Sequence, residues 1–455
     1  MNFLQNSGHD VQRIVEVVFL GIGGLALALL AGRTQIAANL GRGIGLALSA
    51  VFACGLASSA LAYSPVHALY EVGSLALLVL IALAGASGLA REPSMLPRVL
   101  QFFAAIAAVY TLKLVAVYVS VWIVQIQPAT VHFTPGFSNF RHFNHVETAG
   151  LPLLMLAWLL APRGSRLRWL WFGTAAIWWA VMFMSAGRGS MVGLAAACLA
   201  LLVVRGRSAL PMLRAMLWSV FAGVIVYIVF FVLLPKAAGM LPFGELSQMV
   251  ARSVSDPSSG RTFLWKLAAS LIASHPWLGV GPLHFAHYGA QLRFGAHPHD
   301  WMLQVAVEWG VPALAALCIA IALAVRGLLA AGARVDKHDA VNQNIVAALI
   351  LAGAALLVDG MVSGSLVMPQ SQLMIAFYIA CAAGWTWSRN ARSIPPTRTH
   401  SATHSLIAVV SVIALVYGVA PQFGDKLADR PQTAAEEKAN GAEVPWPRQW
   451  LWGYF

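Results

Sequence analysis

Charge is what this sequence has least of. Only 10% of its 455 residues are Asp, Glu, Lys or Arg, against roughly 25% in a soluble domain, while 59% are hydrophobic. A soluble chain of this length closes a core with far less apolar material, so the excess must face a solvent other than water. Cysteine is scarce as well. Cys54, Cys198, Cys318 and Cys381 all fall inside apolar runs, where a thiol packs as a small core side chain, which excludes a disulfide framework and a cysteine-based metal site. Period-2 alternation is missing too. Backbone in hydrocarbon is satisfied only within helices or closed barrels, so its absence leaves helices. The chain carries no internal repeat and no low-complexity tract.

What is present is a series of long apolar runs, at 14–32, 44–63, 72–90, 99–124, 147–161, 169–184, 190–204, 215–235, 301–325, 344–362, 371–387 and 405–421. They predict an all-α polytopic membrane protein with about 12 transmembrane helices. Several of these runs are short for a hydrocarbon core of about 30 Å and must extend into their flanks or end in protein-lined water. The N-terminal MNFLQNSGHDVQR lacks the basic start of a cleaved signal, and the run after it is too long for one, so the first run is expected to be a span.

The net charge of +12 sits mostly in alternate short connections: Arg33 and Arg42; Arg91 and Arg98; Arg163, Arg166 and Arg168; Arg205, Arg207 and Arg214; Arg326, Arg334 and Lys337; Arg389, Arg392 and Arg398. Topology therefore accounts for the basicity, no nucleic-acid partner is expected, and these loops are expected to be cytoplasmic. The intervening short connections hold only Arg141 and Arg188 and are expected to face outward. This gives an N-terminal bundle of about eight spans at 1–235, one large outward loop with short amphipathic helices at 236–300, a C-terminal bundle of about four spans at 301–421, and an outward tail at 422–455. The tail ends in PWPRQWLWGYF, whose aromatics suit the headgroup layer.

Polar residues that persist on the outward side of such a chain need a water-filled cavity or a partner. TPGFSNFRHFNHVETA at 134–149 gathers Asn139, Arg141, His142, Asn144, His145 and Glu147 at the start of a span, as a polar cap or as substrate contacts. SAGRGS at 185–190 sets Arg188 among small neighbours that let it approach a ligand or another helix closely. In SDPSSGRTFLW, Ser258, Ser259 and Gly260 read as a helix cap and Arg261 as the opening of an amphipathic helix. Unpaired N–H groups, the helix dipole and a guanidinium converge at such a start, which suits a phosphate or diphosphate.

GAHPHDWMLQVAVEWG at 295–310 is the richest cluster. His297, His299 and Asp300 precede a span, and Asp300, Gln304 and Glu308 fall four apart, on one helix face. Glu308 is expected to need a basic partner on a neighbouring helix. Lys113 and Asp359, single ionisable residues inside apolar runs, are expected to pair with each other or with Glu308. In a combined site the imidazole of His299 can take a proton near neutral pH and the arginines cannot, which makes His299 the base and the arginines electrostatic clamps. A metal centre on His297, His299 and Asp300 is disfavoured, because three ligands crowded into four positions have no second motif to complete the shell.

These residues resemble the bacterial O-antigen ligase and O-antigen polymerase superfamily, which also includes protein O-oligosaccharyltransferases. SAGRGS resembles the family's small-residue-rich arginine loop. GRTFLW followed by HPWLGVG resembles its Gly-Arg-x-x-x-Trp stretch with a later Pro-x-x-Gly-x-Gly, and AHPHDWMLQVAVEWG resembles its His-x-His-Asn stretch ending in Glu-x-Gly. The resemblance covers about 137–313. Asp300 stands where the family usually has asparagine, and a further span follows the usual end.

The resemblance implies a multi-pass protein of the bacterial inner membrane with its active site facing the periplasm. It implies that Arg188 and Arg261 hold the diphosphate of an undecaprenyl-diphosphate-linked glycan, that His299 is the base on an acceptor hydroxyl, and that no metal or other cofactor takes part. Arg141, Asn144, His145, His297, Asp300 and Glu308 are the expected substrate contacts. The acceptor would be lipid A core, another lipid-linked glycan or a protein. A lipid or polysaccharide flippase also uses many helices with buried charges, but the polar residues here gather at an outer mouth and no repeat pairs the two halves, which favours transfer over transport.

Overall fold

The computed structural model describes residues 8–30, 36–125, 127–128, 130–137, 139–244, 261–289, 296–390 and 398–427. Among them every regular element is a helix. Beside short helical stretches at Thr130–Phe133, Gly206–Ala209, Tyr227–Leu233 and Leu234–Ala237, these are in chain order α1 (Gly8–Leu30), α2 (Ile36–Leu40), α3 (Arg42–Leu61), α4 (Pro65–Arg91), α5 (Met95–Val124), α6 (Phe140–Leu160), α7 (Arg166–Met184), α8 (Arg188–Arg205) and α9 (Leu210–Val226). They continue with α10 (Arg261–Ser274), α11 (Phe285–Gly289), α12 (Trp301–Trp309), α13 (Val311–Ala333), α14 (Ala340–Gly360), α15 (Pro369–Asn390) and α16 (Arg398–Leu427). The cap expected at Ser258, Ser259 and Gly260 and the aromatic end of the C-terminal tail lie outside the described residues.

The protein is an all-α polytopic membrane protein. Among the described residues nine helical stretches are long and apolar enough to cross a membrane. One of these is Arg188–Ala237, 50 residues long, and a sharp turn at Gly206 (φ 53°) divides it between α8 and α9. The apolar surface points outward: Leu29 and Val203 are each 85% exposed. In water such a surface would be an aggregation patch, whereas in a bilayer it is the solvated face.

One expectation changes. The run at 301–325 is two helices, α12 and α13, because Gly310 stands between them at φ 92°. A side chain there would strike the backbone of Trp277 and Leu278, and the left-handed φ is itself a glycine conformation. Pro312 then enters the first turn of α13, where its missing N–H costs nothing.

The chain divides into two compact units. The first comprises 1–91, 260–327 and 366–455, and the second comprises 92–259 and 328–365. In the first, α4 is the central helix, with α1, α15 and α16 against it. Leu20 and Leu27 of α1, Tyr70 and Leu77 of α4, and Ala408 and Leu415 of α16 share its core. Its buried arginine, Arg13, donates to Glu16 Oε2 at 2.5 Å, to Gln372 Oε1 at 2.7 Å and to the Val367 carbonyl at 2.7 Å. A guanidinium in an apolar span persists only with such acceptors around it.

In the second unit α14 lies against α6 and α8, and α7 against α6 and α9. Tryptophan N–H groups pin these helices: Trp178 donates to Thr111 Oγ1 at 2.9 Å, Trp179 to Ser219 Oγ at 3.0 Å and Trp171 to Gln101 Oε1 at 2.6 Å. Lipid offers an indole N–H no partner, so each bond fixes a helix pair at one register.

Candidate functional site

In the second unit the polar residues of TPGFSNFRHFNHVETA and SAGRGS meet. Asn139 begins α6 as its cap, its side chain accepting from the Arg141 N–H at 2.9 Å, and Arg141 stays exposed. One turn on, Asn144 is buried, and its Oδ1 accepts from Ser185 Oγ at 2.9 Å. Its carbonyl takes the Ser190 hydroxyl at 3.2 Å. The turn that carries Arg188 is tight: Ala186 adopts φ 53°, and Arg188 N–H donates to the Ala186 carbonyl at 2.8 Å.

Small residues flank Arg188 for a steric reason. A Cβ at position 187 would collide with the Asn144 amide, and one at 189 would lie 2.9 Å from Asp359 Oδ1. The glycines therefore seat the Arg188 backbone between α6 and the end of α14. The arginine itself opens α8 and is half-buried.

Asp359 is fully buried, and its partners correct the expected pairing. It accepts from His145 Nδ1 at 3.2 Å, Ser363 Oγ at 3.2 Å, Ser190 Oγ at 3.3 Å and Thr148 Oγ1 at 3.4 Å, and Lys113 is not among them. A carboxylate in hydrocarbon needs several donors, and α6, α8 and the segment after α14 supply them here. The sequence flagged both His145 and Asp359, but nothing local to either pointed to the other. Two further buried polar groups stand nearby in α6: the Asn144 side-chain N–H and both carboxyl oxygens of Glu147 make no hydrogen bond among the described residues.

The first unit holds Arg261, His297, His299, Asp300 and Glu308. Arg261 is the first residue of α10 and is half-buried. Trp265 follows one turn later on the same face, and its indole N–H donates to the Pro298 carbonyl at 3.0 Å. That bond brings the Arg261 face of α10 to the segment that carries His299. Asp300 caps α12, its Oδ1 accepting from Met302 N–H at 2.8 Å and Leu303 N–H at 3.1 Å.

His299 sits just before that cap in the left-handed region, at φ 56°. Its N–H donates to His297 Nδ1 at 3.3 Å, and the two rings are 4.0 Å apart. A non-glycine residue held there stores on the order of 1–3 kcal/mol, a cost that persists where the surroundings impose it. Below it on α12, Gln304 is buried, and neither of its amide atoms has a hydrogen-bond partner among the described residues. Glu308 Oε1 accepts the Phe285 N–H at 2.9 Å, and its carbonyl takes the Ser58 hydroxyl at 2.8 Å. Among the described residues no group of three His, Cys, Asp or Glu side chains is arranged to hold a metal ion.

Fold and polar residues together define a multi-pass membrane protein that carries clustered arginine, histidine and carboxylate side chains on helix ends and turns. Residues 172–318 match the family model described as O-antigen ligase. That match supports the O-antigen ligase and polymerase superfamily and, in general terms, glycosyl transfer of that type. The matched stretch includes Arg188, Arg261, His297, His299, Asp300 and Glu308, while Arg141, Asn144, His145 and Asp359 lie outside it. No curated protein matches the chain.

Proposed function

We propose that the protein moves a glycan from undecaprenyl diphosphate to an acceptor hydroxyl at the periplasmic face of the bacterial inner membrane. Arg188 and Arg261 hold the diphosphate and His299 is the base. The observation that carries this reading is that one O-antigen ligase match spans all three residues. The Trp265–Pro298 bond adds that the Arg261 helix and the His299 segment are fastened together.

The chemistry follows from the groups. The acceptor oxygen attacks the anomeric carbon as the bond from that carbon to the diphosphate oxygen breaks. The electron pair leaves with the diphosphate, and His299 takes the hydroxyl proton. A diphosphate is already a good leaving group, so charge stabilisation by guanidinium forks matters more than an acid. The hydroxyl is a poor nucleophile until a base draws its proton. In-line attack inverts the anomeric configuration. Arg141, Asn144, His145, His297, Asp300 and Glu308 supply or position contacts around these three, and lipid A core, a lipid-linked glycan or a protein supplies the hydroxyl.

Purified protein in liposomes with a lipid-linked glycan and acceptor tests the proposal. Transfer with inversion, lost in His299→Ala, supports it. A product that retains the anomer by NMR contradicts the single displacement, and lipid movement without any transfer contradicts the enzyme.

A further inference from the structure

The His145–Asp359 pair joins a proposed substrate contact to a buried carboxylate. Asp359 is fully buried, and its carboxylate can only accept hydrogen bonds. The imidazole therefore directs Nδ1–H at Oδ2, 3.2 Å away, and in that tautomer Nε2 is an acceptor. The hydroxyls of Thr148, Ser190 and Ser363 hold the carboxylate from α6, α8 and the segment after α14, so the ring has little freedom to turn. Nε2 makes no hydrogen bond among the described residues.

Location says what Nε2 serves. The Arg188 backbone is seated between Asn144, the residue before His145, and Asp359, the partner of His145. In a glycosyl diphosphate the first sugar is bonded directly to the phosphate, so a group that holds the phosphate also places that sugar beside itself. The substituent next to the anomeric carbon is a hydroxyl or an acetamido N–H in common sugars, and either is a donor that an acceptor nitrogen in this region would match.

We propose that His145, positioned by Asp359, accepts a hydrogen bond from the 2-substituent of the first sugar of the donor and so selects which lipid-linked glycans the protein takes. Asp359 is a positioning residue, and His145 touches substrate. The inference rests on Arg188 holding the diphosphate.

The test uses the full chain in lipid nanodiscs and three ligands: undecaprenyl diphosphate, the same lipid bearing one N-acetylhexosamine, and the matching 2-deoxyhexose compound. The wild type is expected to bind the N-acetylhexosamine form about tenfold more tightly than the 2-deoxy form, the loss typical of one hydrogen bond to a group left unpaired. His145→Ala brings that ratio to about one. His145→Gln, whose amide oxygen can replace Nε2, restores part of the ratio.

Nitrogen-15 NMR of the imidazole separates positioning from simple support: Nδ1–H alone in the wild type, and a tautomer mixture in Asp359→Ala. A wild-type ratio near one, a ratio unchanged in His145→Ala, or an Nε2–H tautomer in the wild type overturns the proposal. Arg188→Ala is expected to weaken all three ligands alike. If it weakens none while His145→Ala still abolishes the ratio, the sugar contact stands and the diphosphate clamp falls.

Discussion

The two arginine-bearing regions are built on opposite principles. Around Arg188, three helices converge on a buried carboxylate whose four donors are all satisfied, and glycines at 187 and 189 leave space only for contact. Around Arg261 and His299, the fixed point is a helix cap at Asp300 and one indole bond to Pro298. The histidine beside it is held in a left-handed conformation. The first region is a stiff wall anchored on one well-paired carboxylate, a setting that suits the fixed charge proposed for Arg188. The second holds its histidine in a strained backbone conformation, a setting that suits the base role proposed for His299.

Variants that exchange or remove these features sharpen the contrast. The largest effect belongs to His299→Ala, for which transfer should fall by about 100-fold to 10,000-fold, the range of a lost general base, measured by glycan transfer in liposomes. Arg261→Lys should come next, at roughly 10-fold to 100-fold, because a point charge does not replace a fork-shaped contact. No lysine-to-arginine change on the basic loops should approach it, and equal activity of Arg261→Lys would count against the clamp.

Gly189→Val drives a branched side chain into the Asp359 carboxylate and should cost about 1–3 kcal/mol of stability, read by thermal unfolding in detergent. The smallest effect compares His299→Gly with His299→Ala. Both are inactive, but the glycine variant should be more stable by about 1 kcal/mol, since only glycine takes that φ without penalty. Equal stability would remove the strain from the account.

Much of this was readable in the chain because it is local. Among the described residues the apolar runs are mostly helix, and SAGRGS, GRTFLW and AHPHDW each display their arginine or histidine within a few residues. The break at Gly310 was also signalled, by glycine followed two residues later by Pro312, the usual stop and start of adjacent helices, but a continuous apolar run concealed it. Likewise an aspartate directly before an apolar helix is a cap signature, so the cap at Asp300 was within reach.

The His145–Asp359 bond was not within reach. Its partners stand 214 residues apart, and periodicity reports which face a residue occupies without naming what lies across from it. The left-handed φ of His299 was hidden for a related reason: it is imposed by tertiary surroundings and not by the residue's own preference.

The division of labour between arginines and histidine is tested most directly by separating donor binding from transfer. Binding of the undecaprenyl-diphosphate-linked glycan is measured by titration, and single-turnover transfer is followed with the same samples, for His299→Ala, Arg188→Ala and Arg261→Ala. The account predicts that His299→Ala binds the donor as the wild type does yet fails to transfer it, and that both arginine variants bind it at least tenfold more weakly. Donor affinity lost equally in all three, or wild-type transfer by His299→Ala, would contradict it.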